Sequence, residues 1–509
     1  NNTITVGING SNITSKGTVT GLTISPTPTS LVNASTQTVK GAALAFSVAP
    51  TPAPQNVVRN VKDYHFATYI FDATQSGEDV RIASVQLQDT LDANTSGDEV
   101  NSCILYDGTT ALNTGSDVIN PSDPSSGTDN DNTFTLTNNL VVPKGTVKRV
   151  DLKCNIVSSA TNNTTHAWGT SAAAANISAT GKDTGAAITE TITTATGQLM
   201  TVKTAGSFTV TKSSSAPSAA VVLAGKTEVP INVITYRAVD EAINITDLTL
   251  TYSSSTASTT DFSKVTLWNG ATKIGEAQWA GGSALNATST FTAPFVVPKD
   301  GEKELTIKVD LSPISVTAST TAGRLLAIDY NGISSSTGSG ESSGARLGSG
   351  SSSNTAGASM QLMKSFPTLE KVAVPSTTLP QTDAKLFRFK VKADAAGPIA
   401  LYKFTFNISS STVSATTSNF RLFAYTDSGF SQKKYDNNPI NFQNVDCTGM
   451  STFESATACT STTAGLTGSA YASTTGSTLS EVVFFFSPSA NTASTSEAIV
   501  IGAGETIYF

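Results

Sequence analysis

The sequence predicts an all-β chain built of tandem antiparallel β-sandwich units, and three observations carry that prediction. Short segments alternate apolar and polar side chains at period two, the pattern of strands with one buried face. Spacers rich in Ser, Thr, Gly and Asn separate them, and these residues favour turns over helix interiors. The third observation is a repeat. LVVPKGTVKRVDLKCNI (140–156) and FVVPKDGEKELTIKVDL (295–311) share an apolar triplet, a Pro-Lys turn and a strict alternation.

At 509 residues the chain exceeds a single core and divides into roughly three or four domains. Charged residues make up only 14% while apolar residues reach 38%, enough for several cores, so disorder is not expected. The net charge of −7 is mild over this length, which argues against nucleic acid or an anionic membrane as partner. No apolar run is long enough to span a bilayer as a helix. The opening NNTITVGING reads as the middle of a folded region, and the sequence as a mature or truncated portion of something longer.

Each element of the repeat has a counterpart. Set without gaps, Val150, Leu152, Cys154 and Ile156 fall on Leu305, Ile307, Val309 and Leu311, and period two puts each set on one strand face. Lys144 and Lys299 are 155 residues apart, so neighbouring elements must recur at about that spacing. SCILYDG (102–108) pairs with KVTLWNG (264–270), each an alternating strand ending in a hairpin signal. YIFDATQSGEDVRIASVQL (69–87) matches YRAVDEAINITDLTL (236–250), with FRFKVKADAAGPIALYKFTF (387–406) as a third copy. NISATG (176–181) resembles GISSSTG (332–338), and SNITSKG (11–17) is an earlier version. IVIGAGETIYF (499–509) repeats the opening of the shared strand.

These matches divide the chain into the closing part of a unit (1–55), two complete units (56–218 and 219–382), and a fourth unit with an insertion (383–509). Proline-containing linkers, APTPAPQN (49–56), SSSAPSAA (213–220) and FPTLEKVAVPSTTLPQ (366–381), fall at equivalent places and favour extended, semi-rigid connections. Immunoglobulin-like is the nearest named architecture, with a closed barrel as the alternative.

Cysteine placement supports the alignment. Cys103 aligns with Val265 and Cys154 with Val309, so two positions change together. That predicts side chains touching across the core and a Cys103–Cys154 disulfide, with two buried free thiols as the alternative. Cys447 and Cys459 would close a short local loop in the fourth unit as a second disulfide. Disulfides imply an oxidising, extracellular location.

Candidate chemistry is sparse. The two histidines, His65 and His166, form no zinc motif, and His65 is expected on a strand face. GESSG (340–344) fits the nucleophile-elbow pattern but lies in a Ser/Gly loop without the strand and helix that motif needs. No phosphate-binding loop matches, and an enzyme is not expected. Acidic loops at 89–99 and 123–132 concentrate oxygen ligands; Asp123, Asp129 and Asp131 are the first choice for Ca²⁺, against a reading as solvated loop charge. Sequons at Asn9, Asn12, Asn33, Asn94, Asn162, Asn163, Asn176, Asn244, Asn286 and Asn407 are compatible with surface glycosylation.

With its V-V-P-K turn leading into a closing strand, strands alternating with Ser/Thr-rich loops, and N-G or D-G hairpins, the chain resembles repeat-bearing bacterial surface proteins. These include surface-layer proteins and predicted surface proteins of the candidate-phyla radiation. That resemblance implies an extracellular protein whose copies assemble into a lattice or coat, often with calcium. Partners are then further copies in a lattice or filament, with cell-wall or glycan attachment outside this segment and no membrane insertion within it. The alternative is the stalk of an adhesin, with residues 428–450 as its local contact surface.

Overall fold

The computed structural model describes residues 2–124, 127–170, 177–253, 258–279, 285–314, 322–332, 336–349, 353–378, 380, 383–407, 421–435, 481–486 and 498–509. Regular structure there is all β, apart from four single 3₁₀ turns among the described residues. No helix of the described residues is long and apolar enough to cross a membrane.

Alternation does what the pattern predicts. Val150, Leu152, Cys154 and Ile156 lie on strand Val147–Ile156, and Leu305, Ile307, Val309 and Leu311 on strand Glu302–Leu311; all eight are buried. In the first complete unit, one sheet orders Asp129–Val142, Val80–Leu91, Thr165–Gly169, Leu199–Lys203 and Gln55–Val58, with Ile177–Gly181 also on Val80–Leu91. The other orders Thr110–Ala111, Val100–Asp107, Val147–Ile156, Tyr64–Asp72, Ala45–Val48 and Thr191–Ile192. Side chains from both sheets merge into one core that includes Phe71, Ile82, Phe134, Leu152 and Trp168. This is a β-sandwich.

The second complete unit repeats the plan. Ser207–Lys212, Val229–Val239, Glu302–Leu311, Phe262–Asn269 and Thr272–Ala277 form one sheet. Asn286–Val297, Ile243–Tyr252, Thr337–Gly340 and Arg346–Gly348 form another, accompanied by the three-stranded set Ala220–Leu223, Met360–Met363 and Leu325–Leu326. Its core is its own, around Tyr236, Leu250, Phe295 and Ile307. A third core, around Phe389, Val391, Ile501 and Phe509, belongs to the C-terminal unit, where Arg388–Ala393 pairs with Pro367–Val372 and Thr506–Tyr508.

Two features depart from the sequence reading. Pairing is not wholly antiparallel: Gln55–Val58 runs parallel to Leu199–Lys203, and Ala220–Leu223 parallel to Met360–Met363. In both units the strand following the proline linker closes beside the last strand, and that arrangement fixes the direction. Strands upstream of the linkers also join the unit that follows, since Ala45–Val48 pairs with Tyr64–Asp72 and Ser207–Lys212 with Val229–Val239.

The Pro-Lys turns carry the chain from one sheet to the other. Thr146 N–H donates to Pro143 O at 3.2 Å, Gly301 N–H to Pro298 O at 3.1 Å, and Glu505 N–H to Gly502 O at 3.0 Å. The third residue of each turn is left-handed: Gly145 at φ 74°, Asp300 at 52°, Gly504 at 75°. Glycine meets that requirement without cost, and Asp300 holds it by accepting from the Asp240 N–H. The hairpins fall one residue later than Asp-Gly and Asn-Gly predict. Asp107 pairs with Thr110 and Asn269 with Thr272, so Gly108 and Gly270 take the first central position.

Cys103 and Cys154 are bonded, with Cα atoms 4.1 Å apart. The bridge does not cross between sheets as the co-variation suggested. Its two strands are neighbours in one sheet, where Asn101 pairs with Asn155 and, past a bulge, Ile104 with Lys153. In the second unit Val265 and Val309 are direct cross-strand partners on the corresponding strands. The disulfide therefore replaces an apolar pair within one sheet. Cys447 and Cys459 lie outside the described residues. Closing a 51-residue separation, the bridge restricts the unfolded chain by about 4 kcal/mol. Replacing both cysteines by valine should lower the stability of the first complete unit by about that amount. In calorimetry the transition of the second complete unit should stay where it is.

Candidate functional site

Three arrangements merit examination: a buried ion network, the contact between the complete units, and a carboxylate-capped turn. The first starts from a buried acid ahead of a strand. Glu99 precedes Val100–Asp107 and Asp261 precedes Phe262–Asn269, and both are buried. A buried carboxylate needs partners. Glu99 accepts from Thr161 N–H at 2.9 Å and Thr164 Oγ1 at 2.7 Å; Asp261 accepts from Ser258 N–H at 2.6 Å and faces Arg324 Nη1 at 3.3 Å. In the first unit the cation is His166. Its Nδ1 lies 2.7 Å from Asp89 Oδ2 and its Nε2 3.6 Å from Glu99 Oε2. Sequence reading did not single out His166. The available signal was parity, since His166 and Trp168 share one face of strand Thr165–Gly169.

The electrostatics follow from this packing. Burial opposes charge on His166, but Asp89 and Glu99 outweigh it and hold the imidazolium up to about 9. Burial likewise opposes charge on Glu99, yet hydrogen bonds from His166, Thr164 and Thr161 bring its carboxyl down to about 2. Burial pushes Asp89 upward while His166 pulls the other way. The network is a charged brace within the core. His166 and Asp89 side chains have no solvent exposure.

The complete units touch through polar groups. Asn56 Nδ2 donates to Asp240 Oδ1 at 3.0 Å, and Asn60 Nδ2 to Ser342 O at 3.1 Å. Lys299 Nζ, from the Pro-Lys turn, stands 5.9 Å from the Tyr64 ring centre. Burial first, and then the Asp300 charge, push the Tyr64 phenol up to about 12. The turn that recurs through the chain thus lies, in the second unit, at the contact with its neighbour.

GESSG has a structural use. The Glu241 carboxylate accepts from Ser342 N–H, Ser343 N–H and Ser343 Oγ, at 3.0, 2.9 and 2.6 Å. Glu78 does the same for Asp183 N–H, Thr184 N–H and Thr184 Oγ1. Both serines are caps of a turn that both units share.

The other expected residues fall as follows. His65 lies on strand Tyr64–Asp72, half-buried, 2.9 Å from Thr68 Oγ1 and 3.3 Å from Asp151. Asp123 accepts from Ser96 Oγ and from Gly97 N–H, whereas Asp131 accepts from Gln88 Nε2 at 3.2 Å. Asp129 pairs with Thr90 at the strand end. Among the described residues no three His, Cys, Asp or Glu side chains converge to hold a metal ion. Of residues 428–450, those from 436 on lie outside the described residues. The described part packs onto its own unit, with Phe430 against Tyr425 and Tyr508 and under Arg388. Trp268 lies 3.8 Å beneath Lys308, as Tyr106 lies 5.0 Å beneath Lys153.

No protein-family model matches the chain, and no curated protein matches it by sequence. Among solved structures, the C-terminal domain of the Streptococcus agalactiae AgI/II polypeptide BspA aligns at 10% identity. That alignment covers 62% of this chain and 99% of that one, with a TM-score of 0.18. A putative membrane-anchored protein from Corynebacterium diphtheriae aligns at 10% identity over 99% of this chain and 96% of that one, with a TM-score of 0.19. Superpositions at this level do not mark a shared fold.

The ion network sets a pH window for the first unit. His166 rises from about 6.5 unfolded to about 9 folded, so its contribution is complete below 6.5 and lost as pH climbs through 9. Glu99 falls from 4.5 to about 2, so its contribution is complete above 4.5 and lost as pH drops through 2. Stability should therefore peak between these limits and fall by about 3 kcal/mol on the alkaline side. Denaturant melts of wild type and His166→Gln across pH 5 to 10 check this, the variant losing the alkaline slope.

Proposed function

We propose that this chain is an extracellular structural protein of the cell surface, whose sandwich units assemble with further copies into a surface layer or coat. The observation that carries the reading is the repeated unit itself. The same two-sheet design, with its own core each time, is built in succession and joined by proline-containing segments and polar contacts between units. A chain organised this way gains reach and many equivalent faces.

The chemistry of those faces supports the same reading. Charged residues are sparse, and hydroxyls and amides abound, so neighbouring surfaces can approach with little ionic desolvation. A disulfide in the first unit suits an oxidising exterior. The buried His166, Asp89 and Glu99 brace a core, and the serines of GESSG cap a turn.

Electron microscopy of the purified chain tests this. Sheets or filaments with a regular repeat are expected as concentration rises. Monodisperse monomers at every concentration, with and without added Ca²⁺, would contradict the proposal.

A further inference from the structure

Residues 2–39 form a nested antiparallel ribbon. Asn2–Ile4 pairs with Gln37–Val39, Gly7–Asn9 with Leu31–Asn33, and Ser15–Lys16 with Thr23–Ile24. It leaves its large apolar side chains in water: Ile4, Val6, Ile8, Ile13, Leu22 and Val39 are all more than 40% exposed. A two-stranded ribbon with that surface is marginal alone and calls for a cover.

The complete units show what covers such a ribbon. Gly21 N–H donates to Gly17 O at 2.9 Å, Gly185 N–H to Gly181 O at 2.8 Å, and Gly344 N–H to Gly340 O at 3.0 Å. The three closing glycines share φ values of 68°, 68° and 66°. Gly17 N–H then reaches Leu22 O as Gly181 reaches Ala186 O and Gly340 reaches Ala345 O, each at 2.9 Å. Ser15–Lys16 is thus the counterpart of the strands ending at Gly181 and Gly340. Those strands add to Val80–Ile82 and Ile243–Ile245, putting Gly181 opposite Val80 and Gly340 opposite Ile243. Side chains confirm the match. Ile13 is 41% exposed where Ile177 is 6%, and in the shared Thr-Val-Lys, Val39 is 52% exposed where Val202 is 0%. The ribbon is the closing part of a sandwich without its opening part.

The C-terminal unit has the reverse condition. Ile399–Leu401 pairs on one side with Ile499–Ile501, as Ile243–Ile245 pairs with Phe295–Val297. Among the described residues no strand takes its other side. Ala393 and Ala238 each donate to the last residue of their equivalent turns, Glu505 and Gly301, which aligns Leu386 and Phe387 with Ile231 and Asn232. Ile231 and Asn232 are fully buried beneath closing strands, Ile231 O accepting from Ala358 N–H and Asn232 Nδ2 donating to Ile328 O. Leu386 and Phe387 are 50% and 47% exposed.

We propose that the ribbon of one copy supplies the closing strands for the C-terminal unit of a second copy. Ser15–Lys16 adds to the free edge of Ile399–Leu401, with Gly17 opposite Ile399, Lys16 opposite Ala400 and Ser15 opposite Leu401. Ile13 and Val39 enter the core beside Leu386 and Phe387. Two complete sandwiches stand between the ribbon and the C-terminal unit of its own chain, so the acceptor belongs to another copy. Strand addition of this kind gains main-chain hydrogen bonds and apolar burial together. The contact is head-to-tail and generates open filaments. Gly397 stands two residues before Ile399, where Glu78 and Glu241 cap the turn in the complete units, so the union lacks that carboxylate and is reversible.

This inference rests on the assembly reading above, and its test separates the two. Two variants of the 509-residue chain, Lys16→Cys and Ala400→Cys, are mixed under mild oxidation, since directly opposed strand positions suit a disulfide. A covalent heterodimer is expected from the mixture, with none above background when either variant is mixed with wild type. In sedimentation, Ile13→Asp with Val39→Asp should weaken association more than tenfold while the complete units melt as in wild type. Absence of the heterodimer, or unchanged association of the Asp variant, overturns the donor-strand contact. If the chain still assembles in either case, assembly through other faces stands; if wild type stays monomeric, both readings fall.

Discussion

Everything in this molecule depends on one interaction: the apolar face of an alternating strand pressed against the apolar face of the opposite sheet. Leu152 and Ile307 show it most plainly, each central in its sheet and each without solvent exposure. Burying such a side chain contributes about 1.5–3 kcal/mol, and each complete unit repeats it many times over. A one-residue slip would turn the whole set outward, so register is strongly specified. Left-handed third residues in the Pro-Lys turns keep that register as the chain passes from sheet to sheet. The units owe their separate cores to this arrangement.

Around that constant frame the repeats vary in ways that preserve the local physics. A buried acid precedes the same strand in both complete units, and the cation that balances it is His166 in one and Arg324 in the other. A valine pair in one sheet becomes a disulfide in its counterpart. Tyr106 under Lys153 becomes Trp268 under Lys308. In each case the partners change together, because leaving one alone would strand a buried charge or a cavity.

Much of the fold was legible in the sequence, because period-two alternation reports directly which face is buried. The equivalence of 140–156 with 295–311, the hairpins after Tyr106 and Trp268, and the Cys103–Cys154 contact all follow from it. Alternation does not report which strand lies alongside. The parallel neighbours of Gln55–Val58 and Ala220–Leu223 were therefore not readable, nor was the placement of the disulfide within one sheet. The His166 network was hidden for a related reason. Asp89 comes from 77 residues away, and nothing local to THAWG signals that a charge will be buried there. The ribbon was recognised as a closing part by its Gly-flanked turn, but only its exposure shows what it needs.

Expression of residues 44–203 and 206–363 as separate chains tests the central claim most directly, since the account gives each its own two-sheet core. Each piece should show a cooperative thermal transition and well-dispersed amide resonances without the other. Collapse of either piece into a state lacking fixed packing would mean that the cores are shared, and the description of the chain as a series of self-contained sandwiches would fail.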